Sequence, residues 1–264
     1  MISLTLVGIG TGNPEHLTLQ AIRALNAADL VLIPRKGADK ADLAELRRAI
    51  CAEVITNPAT RLFDFDLPVR DATRTDYRAG VDAWHDAVAE AWRAAIGEGL
   101  SSGQGRVALL VWGDPSLYDS TLRIAGRLGL PTTVIPGITS VQALTAAHAI
   151  ALNEIGAPFT VTTGRRLREE GWPPGTDSIV VMLDGDCAFR QLAAEGLSIW
   201  WGAYLGMANE IIESGPLAEA GPRILTRRAE ARAQHGWIMD VYLLRRDVGT
   251  GRDDAASLKL RPRA

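Results

Sequence analysis

Short apolar runs, each too brief for a helix, alternate along this chain with longer segments whose apolar residues recur every three or four positions. A chain that keeps switching between these two patterns is expected to be an α/β protein, with helices packed on sheets. The run "ISLTLVG" (2–8) precedes a helical pattern over 17–28, and "DLVLIP" (29–34) precedes an amphipathic one over 41–53. Tyr77, Val81, Trp84, Val88, Trp92 and Ala95 form one face of a long helix ahead of the strand "VALLVW" (107–112). A helix over 120–128, a strand over 132–136 and a helix opening at Thr139 follow, the last with Gln142 completing a capping box. Strands are expected at 157–163, 177–183 and 197–205, with a short apolar piece at 209–213. A loop broken by Gly and Pro then leads to a basic helix over 223–233 and a last strand over 236–246. Residues 57–75 show no clear period and read as a loop or lid. The expected fold class is α/β, with an N-terminal domain at 1–114, a C-terminal domain at 115–246 and a polar, flexible tail at 247–264.

In such sheets ligands bind outside the carboxyl ends of the strands. Three strand-end loops here are rich in small residues: "VGIGTGNPEHLT" (7–18), "WGDPSLYDS" (112–120) and "PGITS" (136–140). Glycine lets a ligand approach the backbone because no Cβ intervenes. The first loop is not a dinucleotide fingerprint, since Asn13 stands where the last glycine belongs and Asp29 starts the second strand instead of ending it. No GK[ST] follows, so a P-loop is absent too. Taken alone, that loop is equally well a tight turn.

The net charge of −3 and pI near 5.9 give no general field for a polyanion. No apolar run approaches the roughly 18 residues of a membrane span, and Met1 leads directly into a strand, so neither anchor nor signal peptide is expected. Cys51 and Cys187 form no CxxC pair, and a reducing cytoplasm is the simplest location. The four histidines are dispersed, and neither HExxH nor GxSxG occurs. Cys187 reads as a small buried residue, His148 as packed or capping, His85 as peripheral, and Trp84 and Trp92 as core. Trp200 and Trp201 should point to opposite faces of one strand.

The stretches "VGIGTGNPEHLTLQAIRALNAADLVL", "WGDPSLYDS" and "VIPGITSVQAL" resemble, in the same order, those of the tetrapyrrole methylases. The resemblance implies two α/β domains of that type with S-adenosyl-L-methionine in the cleft between them, S-adenosyl-L-homocysteine as product and no metal. It also implies a small tetrapyrrole substrate, no nucleic-acid or membrane partner, and a homodimer. Thr11 replaces the usual proline of the first loop, Asn13 its aspartate, and Asp119 the last glycine of the second loop. "WGDPSLYDST", "LNEIGAPFTVTTGRRL" and "GWIMDVYLLRRD" are most similar to the deacetylating branch, which methylates carbon 1 of precorrin-5, releases acetate and gives precorrin-6A. The alternatives are methylation at carbon 11 or carbon 20 of a precorrin, a macromolecular substrate, or a non-catalytic tetrapyrrole carrier.

Roles follow from the same resemblance. Gly10, Thr11, Trp112, Gly113, Asp114, Leu117, Thr139 and Ser140 match positions near the cofactor. Met182 or Leu183 matches an apolar residue near the adenine, and Tyr204 and Ala208 follow from the next strand end. Asp119, Tyr118 and Asp114 are the catalytic candidates, with Asp184 and Glu210 as further bases for deacetylation. The substrate's carboxylates call for arginines. Arg165 and Arg166 are expected to bind them first, then Arg35 with Lys36.

Overall fold

The computed structural model describes residues 1–35, 41–69 and 77–247; Lys36 and the tail from 248 onward lie outside them. The chain divides into two units, Met1–Thr139 and Ser140–Ala264.

In the first unit, β1 (Ile2–Gly8), β2 (Leu30–Arg35), β3 (Arg61–Asp66), β4 (Gly105–Val111) and β5 (Thr132–Ile135) form one sheet in the order β3-β2-β4-β1-β5. Every neighbouring pair is parallel. Side chains alternate across this sheet with the two-residue strand period. Leu4, Leu6, Leu30, Leu32, Leu109 and Val111 pack on one face, against Val88, Trp92 and Ile96 of α3 (Tyr77–Gly99) and Ile124 of α4 (Thr121–Gly126). Val7, Ile9, Val31, Ile33 and Leu110 pack on the other, against Ala21 and Leu25 of α1 (Leu19–Ala27) and Ile50 and Cys51 of α2 (Ala41–Val54). Burial on both faces explains why these strands read as continuous apolar runs.

Three expectations need correction here. The segment 57–75 is not loop throughout: "RLFDFD" is β3, paired in register with β2 from Leu30↔Arg61 to Arg35↔Asp66. It is an edge strand on which only Phe65 is buried, so its charges hide the period. The boundary expected after residue 114 lies between Thr139 and Ser140, because β5 hydrogen-bonds to β1 and completes the first sheet. His85, read as peripheral, is buried.

In the second unit, β6 (Phe159–Thr163), β7 (Ser178–Met182), β8 (Leu197–Ala203), β9 (Ile211–Pro216) and β10 (Asp240–Arg246) follow the order β6-β7-β10-β8-β9. Only β6 and β7 run parallel; the other pairs are antiparallel. The helices are α5 (Ser140–His148), α6 (Gly164–Glu170) and α7 (Leu217–His235). Ile179, Val181, Ile199, Trp201, Tyr242 and Leu244 meet Leu217, Ala220 and Ile224 of α7 in the core. The helix expected at 223–233 therefore starts earlier, at Leu217, and holds Pro222 inside it. Burial of Leu217 and Ala220 on the sheet outweighs the hydrogen bond that proline cannot donate. Trp201 is buried with its indole N–H on Asp240 Oδ2 at 2.9 Å, while Trp200 faces the other way beneath Arg245. Among the described residues no helix is long and apolar enough to cross a membrane.

Candidate active site

From β1 the chain passes through α1 to β2, beyond β4; from β4 it passes through α4 to β5, beyond β1. The two connections leave in opposite directions, so the carboxyl ends of β1 and β4 flank a topological switch point, where open α/β sheets form their ligand crevice. Gly10 and Gly113 bridge the two strand ends, with N–H···O distances of 3.3 and 2.7 Å. Both glycines have positive φ, 72° and 60°, a region that side chains disfavour. The end of β5 comes equally close. A Cβ on Gly137 would lie 2.1 Å from the Gly113 carbonyl oxygen, and one on Gly8 would lie 2.6 Å from the Gly137 nitrogen. Sequence reasoning singled out the loops but missed Gly8 and Gly137, whose role comes from contact between strands distant in sequence.

Asp114 fastens this junction. Its Oδ1 accepts from the Ser116 N–H at 2.8 Å and from the Ser116 hydroxyl, and its Oδ2 accepts from the Gly137 N–H at 2.9 Å. Burial alone would raise its pKa, but the hydrogen bonds from Ser116 and Gly137 prevail and hold the carboxyl below its ordinary range. Both oxygens thus serve the loop.

The residues after Asp114 remain closer to solvent. Tyr118 is left-handed (φ 49°) and 45% exposed. Asp119 Oδ1 accepts from the Thr121 N–H at 2.5 Å, which fixes the first turn of α4. That is a turn-forming role of the kind loop aspartates commonly take. Leu117 and Trp112 are half-buried, and Thr139 closes the first unit beside Gly113, its Cα 3.7 Å from where a Gly113 Cβ would stand. In the first loop Thr11 is buried with its hydroxyl 3.1 Å from His16 Nδ1, and Asn13 caps the 3-10 turn Pro14–His16 through Glu15 N–H. Asp29, the failed ribose-binding acid, instead holds the Arg106 backbone and guanidinium at the opposite edge of the sheet.

The second unit places its candidates unevenly. Leu183, just after β7, is left-handed (φ 54°) and 68% exposed. An apolar side chain held in a strained conformation and facing water has no packing reason to be there, and such strain concentrates at functional positions. Met182 is half-buried, Ser140 opens α5 and Ala208 is exposed. Tyr204 is also left-handed, but its ring is core: the hydroxyl donates to the Trp237 carbonyl at 2.5 Å. Any contact it offers a ligand comes from its backbone.

Several candidates are committed elsewhere. Asp184 is buried, taking hydrogen bonds from Tyr242 Oη at 2.6 Å, Arg168 Nη1 at 2.7 Å and the Ala188 N–H. It is a core bracket and not an available base, and a Cβ on Gly164 would strike it at 2.1 Å. Glu210 accepts from the Gly206 N–H at 2.6 Å, and His148 Nε2 lies 3.0 Å from the Trp201 carbonyl. Arg165, Arg166 and Arg35 pair with Glu169, Glu170 and Asp66 at 3.3, 2.7 and 2.9 Å, all on the surface. Cys187 is buried, and burial raises its thiol pKa.

Residues 3–221 match the model of the tetrapyrrole (corrin/porphyrin) methylases. A deacetylating precorrin-6A synthase from Sinorhizobium sp is 50% identical over 252 residues, covering 93% of this chain and 96% of that one. The crystal structure of a cobalamin-synthesis-related protein from Corynebacterium diphtheriae is 40% identical, with a TM-score of 0.78 over 93% of this chain and 99% of that one. A uroporphyrin-III C-methyltransferase from Thermus thermophilus, solved with S-adenosylhomocysteine, shares the fold at 20% identity and a TM-score of 0.53, covering 92% and 96% of the two chains.

Proposed function

Because the chain belongs to the tetrapyrrole (corrin/porphyrin) methylase family, we propose that it methylates carbon 1 of precorrin-5 with S-adenosyl-L-methionine and releases acetate, giving precorrin-6A and S-adenosyl-L-homocysteine for cobalamin synthesis. What carries this reading is the 50% identity with a deacetylating precorrin-6A synthase across nearly the whole of both chains.

The bound cofactor supplies an electrophilic methyl group, so the protein's part is to bind, orient and exclude water. Gly10, Thr11, Trp112, Gly113, Leu117 and Thr139 are its contacts at the switch point, where glycines let three strand ends pack closely together. The resemblance assigns Ser140, Met182, Leu183, Tyr204 and Ala208 to the cofactor as well, and the exposed Leu183 offers an apolar surface for the adenine. Asp114 serves as a positioning residue, because both of its oxygens hold the loop together.

Deacetylation requires a water oxygen to add to the acetyl carbonyl carbon while the bond from that carbon to the ring breaks. Asp119 is the carboxylate we assign to that water, since it stands where the family's loop usually has glycine, with its Oδ1 held by the Thr121 N–H. Tyr118 is its neighbour on the same exposed turn. In our reading Arg165, Arg166 and Arg35 offer only peripheral attraction to substrate carboxylates, because each is already paired and exposed. A cytoplasmic homodimer without nucleic-acid or membrane partners completes the reading, and light scattering on the purified protein tests the dimer.

Incubation with precorrin-5 and the cofactor, followed by mass and acetate analysis, is the deciding experiment. Stoichiometric acetate and S-adenosylhomocysteine are expected. Methyl transfer without acetate would move the assignment to another ring carbon, and absence of S-adenosylhomocysteine binding by calorimetry would leave only a carrier. Asp119→Gly should lower acetate release about a hundredfold to ten-thousandfold with S-adenosylhomocysteine affinity kept. Unchanged turnover in that variant removes Asp119 from the chemistry.

A further inference from the structure

The core-facing side of α2 carries a cation. Arg47, half-buried, shares that side with Ala44, Ile50 and Cys51, which are buried against the first sheet. Its guanidinium carbon lies 4.9 Å above the ring centre of Trp112, the residue that leads β4 into the Gly113–Asp114 turn. One donor is used locally, Nη1 to the Leu43 carbonyl at 3.1 Å. Among the described residues Arg47 Nε has no partner although it is buried, and the same holds for Trp112 Nε1. Burial lowers the Arg47 pKa to about 10, and the charge of Asp119 opposes that shift.

Arginine and the indole N–H can only donate. Two buried donors without partners, at the mouth of one strand-end loop, therefore lack the same thing, an acceptor. A buried cation is costly unless paired, and a methionine would fill the stem's volume without that cost. Stacking on Trp112 offsets only part of that cost. The charge of Asp119 acts from a distance without occupying the guanidinium's edge, since no ion pair joins the two. A guanidinium edge held flat by an aromatic ring is the arrangement that recognises a planar carboxylate in two-point fashion.

We propose that Arg47, braced on Trp112, anchors a carboxylate side chain of the tetrapyrrole substrate. The inference rests on the family reading above and adds a residue to it. Arg165, Arg166 and Arg35 are each paired with a surface carboxylate, which leaves this role to Arg47. The carboxylate of the methionine portion of the cofactor offers the same chemistry, and the experiment separates the two.

The test uses the full chain, with uroporphyrin as a stable polycarboxylate probe, its octamethyl ester as the uncharged control, and S-adenosylhomocysteine titrated separately. Arg47→Met should weaken uroporphyrin binding about tenfold to a hundredfold, leave ester and S-adenosylhomocysteine binding unchanged, and keep or raise Tm, because a buried charge has gone. Arg47→Lys should fall between, keeping the charge but losing the fork. Equal uroporphyrin affinity in wild type and Arg47→Met overturns the inference and leaves the family reading intact. A loss confined to S-adenosylhomocysteine also overturns it, by giving the anchor to the cofactor. A fall in Tm with parallel loss of both ligands overturns it as well, making Arg47 a structural brace. Wild-type protein that neither binds uroporphyrin nor turns over precorrin-5 overturns the functional reading, and this inference with it.

Discussion

Asp114 divides its carboxylate between Ser116 and Gly137, so one side chain ties the end of β4 to the end of β5. Asparagine would keep the bonds from Ser116 and turn an N–H toward that of Gly137. Asp114→Asn should therefore cost about 1–3 kcal/mol of stability and weaken S-adenosylhomocysteine binding, as denaturant titration and calorimetry would show. The pH dependence follows from the same bonds. A carboxyl held below its ordinary value adds stability above the unfolded pKa, about 3.9, and loses it as pH falls through the lower folded value. Wild-type acid unfolding should then include a component below about pH 4 that Asp114→Asn lacks; superimposable acid limbs would count against the bracing role. Leu183 makes the opposite case, a residue that harms its own fold. Asparagine tolerates a φ of 54° better than leucine does. Leu183→Asn should keep or raise Tm by about a degree or two while weakening S-adenosylhomocysteine binding, and unchanged binding would make Leu183 a mere surface residue.

At the level of elements, the strands that lie inside a sheet were readable and the ones at its margin were not. Val31, Leu32, Ile33 and their counterparts in β1 and β4 are buried on both faces, so apolar character alone betrays them. In β3 only Phe65 is buried, and pairing with β2, a contact between distant residues, decides its conformation. In α7 the Gly-Pro pair suggested a break, but the core beneath Leu217 and Ala220 overrides it. The same divide governs the site. Glycine loops at strand ends could be seen in the sequence, whereas the packing of Gly8, Gly113 and Gly137 against one another could not. That packing gives a sharp expectation. Gly137→Ala puts a methyl group 2.1 Å from the Gly113 carbonyl oxygen, which only a backbone shift can relieve. The loss should be about 3 kcal/mol or more, with cofactor affinity falling alongside. Gly97→Ala is the contrasting substitution. Gly97 lies inside α3, is exposed, and has nothing within 4 Å of an added Cβ. That change should stabilise the protein by about 0.5–1 kcal/mol and leave binding alone. Equal Tm shifts in the two variants would refute the strand-end packing argument.

On the scale of the molecule, the sequence shows that the chain is α/β but misplaces the division. A boundary after residue 114 takes the loop where the ligand chemistry changes for the place where the fold changes. The first sheet needs more chain than that. Without β5 the free side of β1 has no partner from Leu4 to Val7, and the face under α3 loses Ile124 and Ala125 of α4. The buried clusters agree with the later boundary, since those of the first unit draw on no residue beyond Ile135 and that of the second on none before Leu167. A division between cores predicts independent folding. A fragment of residues 1–139 should be monodisperse and unfold in one cooperative transition, because its five strands and both helical layers are complete. A fragment of residues 1–114 should aggregate or unfold without a transition, as an exposed apolar strand edge recruits other chains. Circular dichroism melts and light scattering on the two fragments distinguish these outcomes. Cooperative unfolding of both fragments would mean that β5 and α4 are accessories to the first unit, and the earlier boundary would stand.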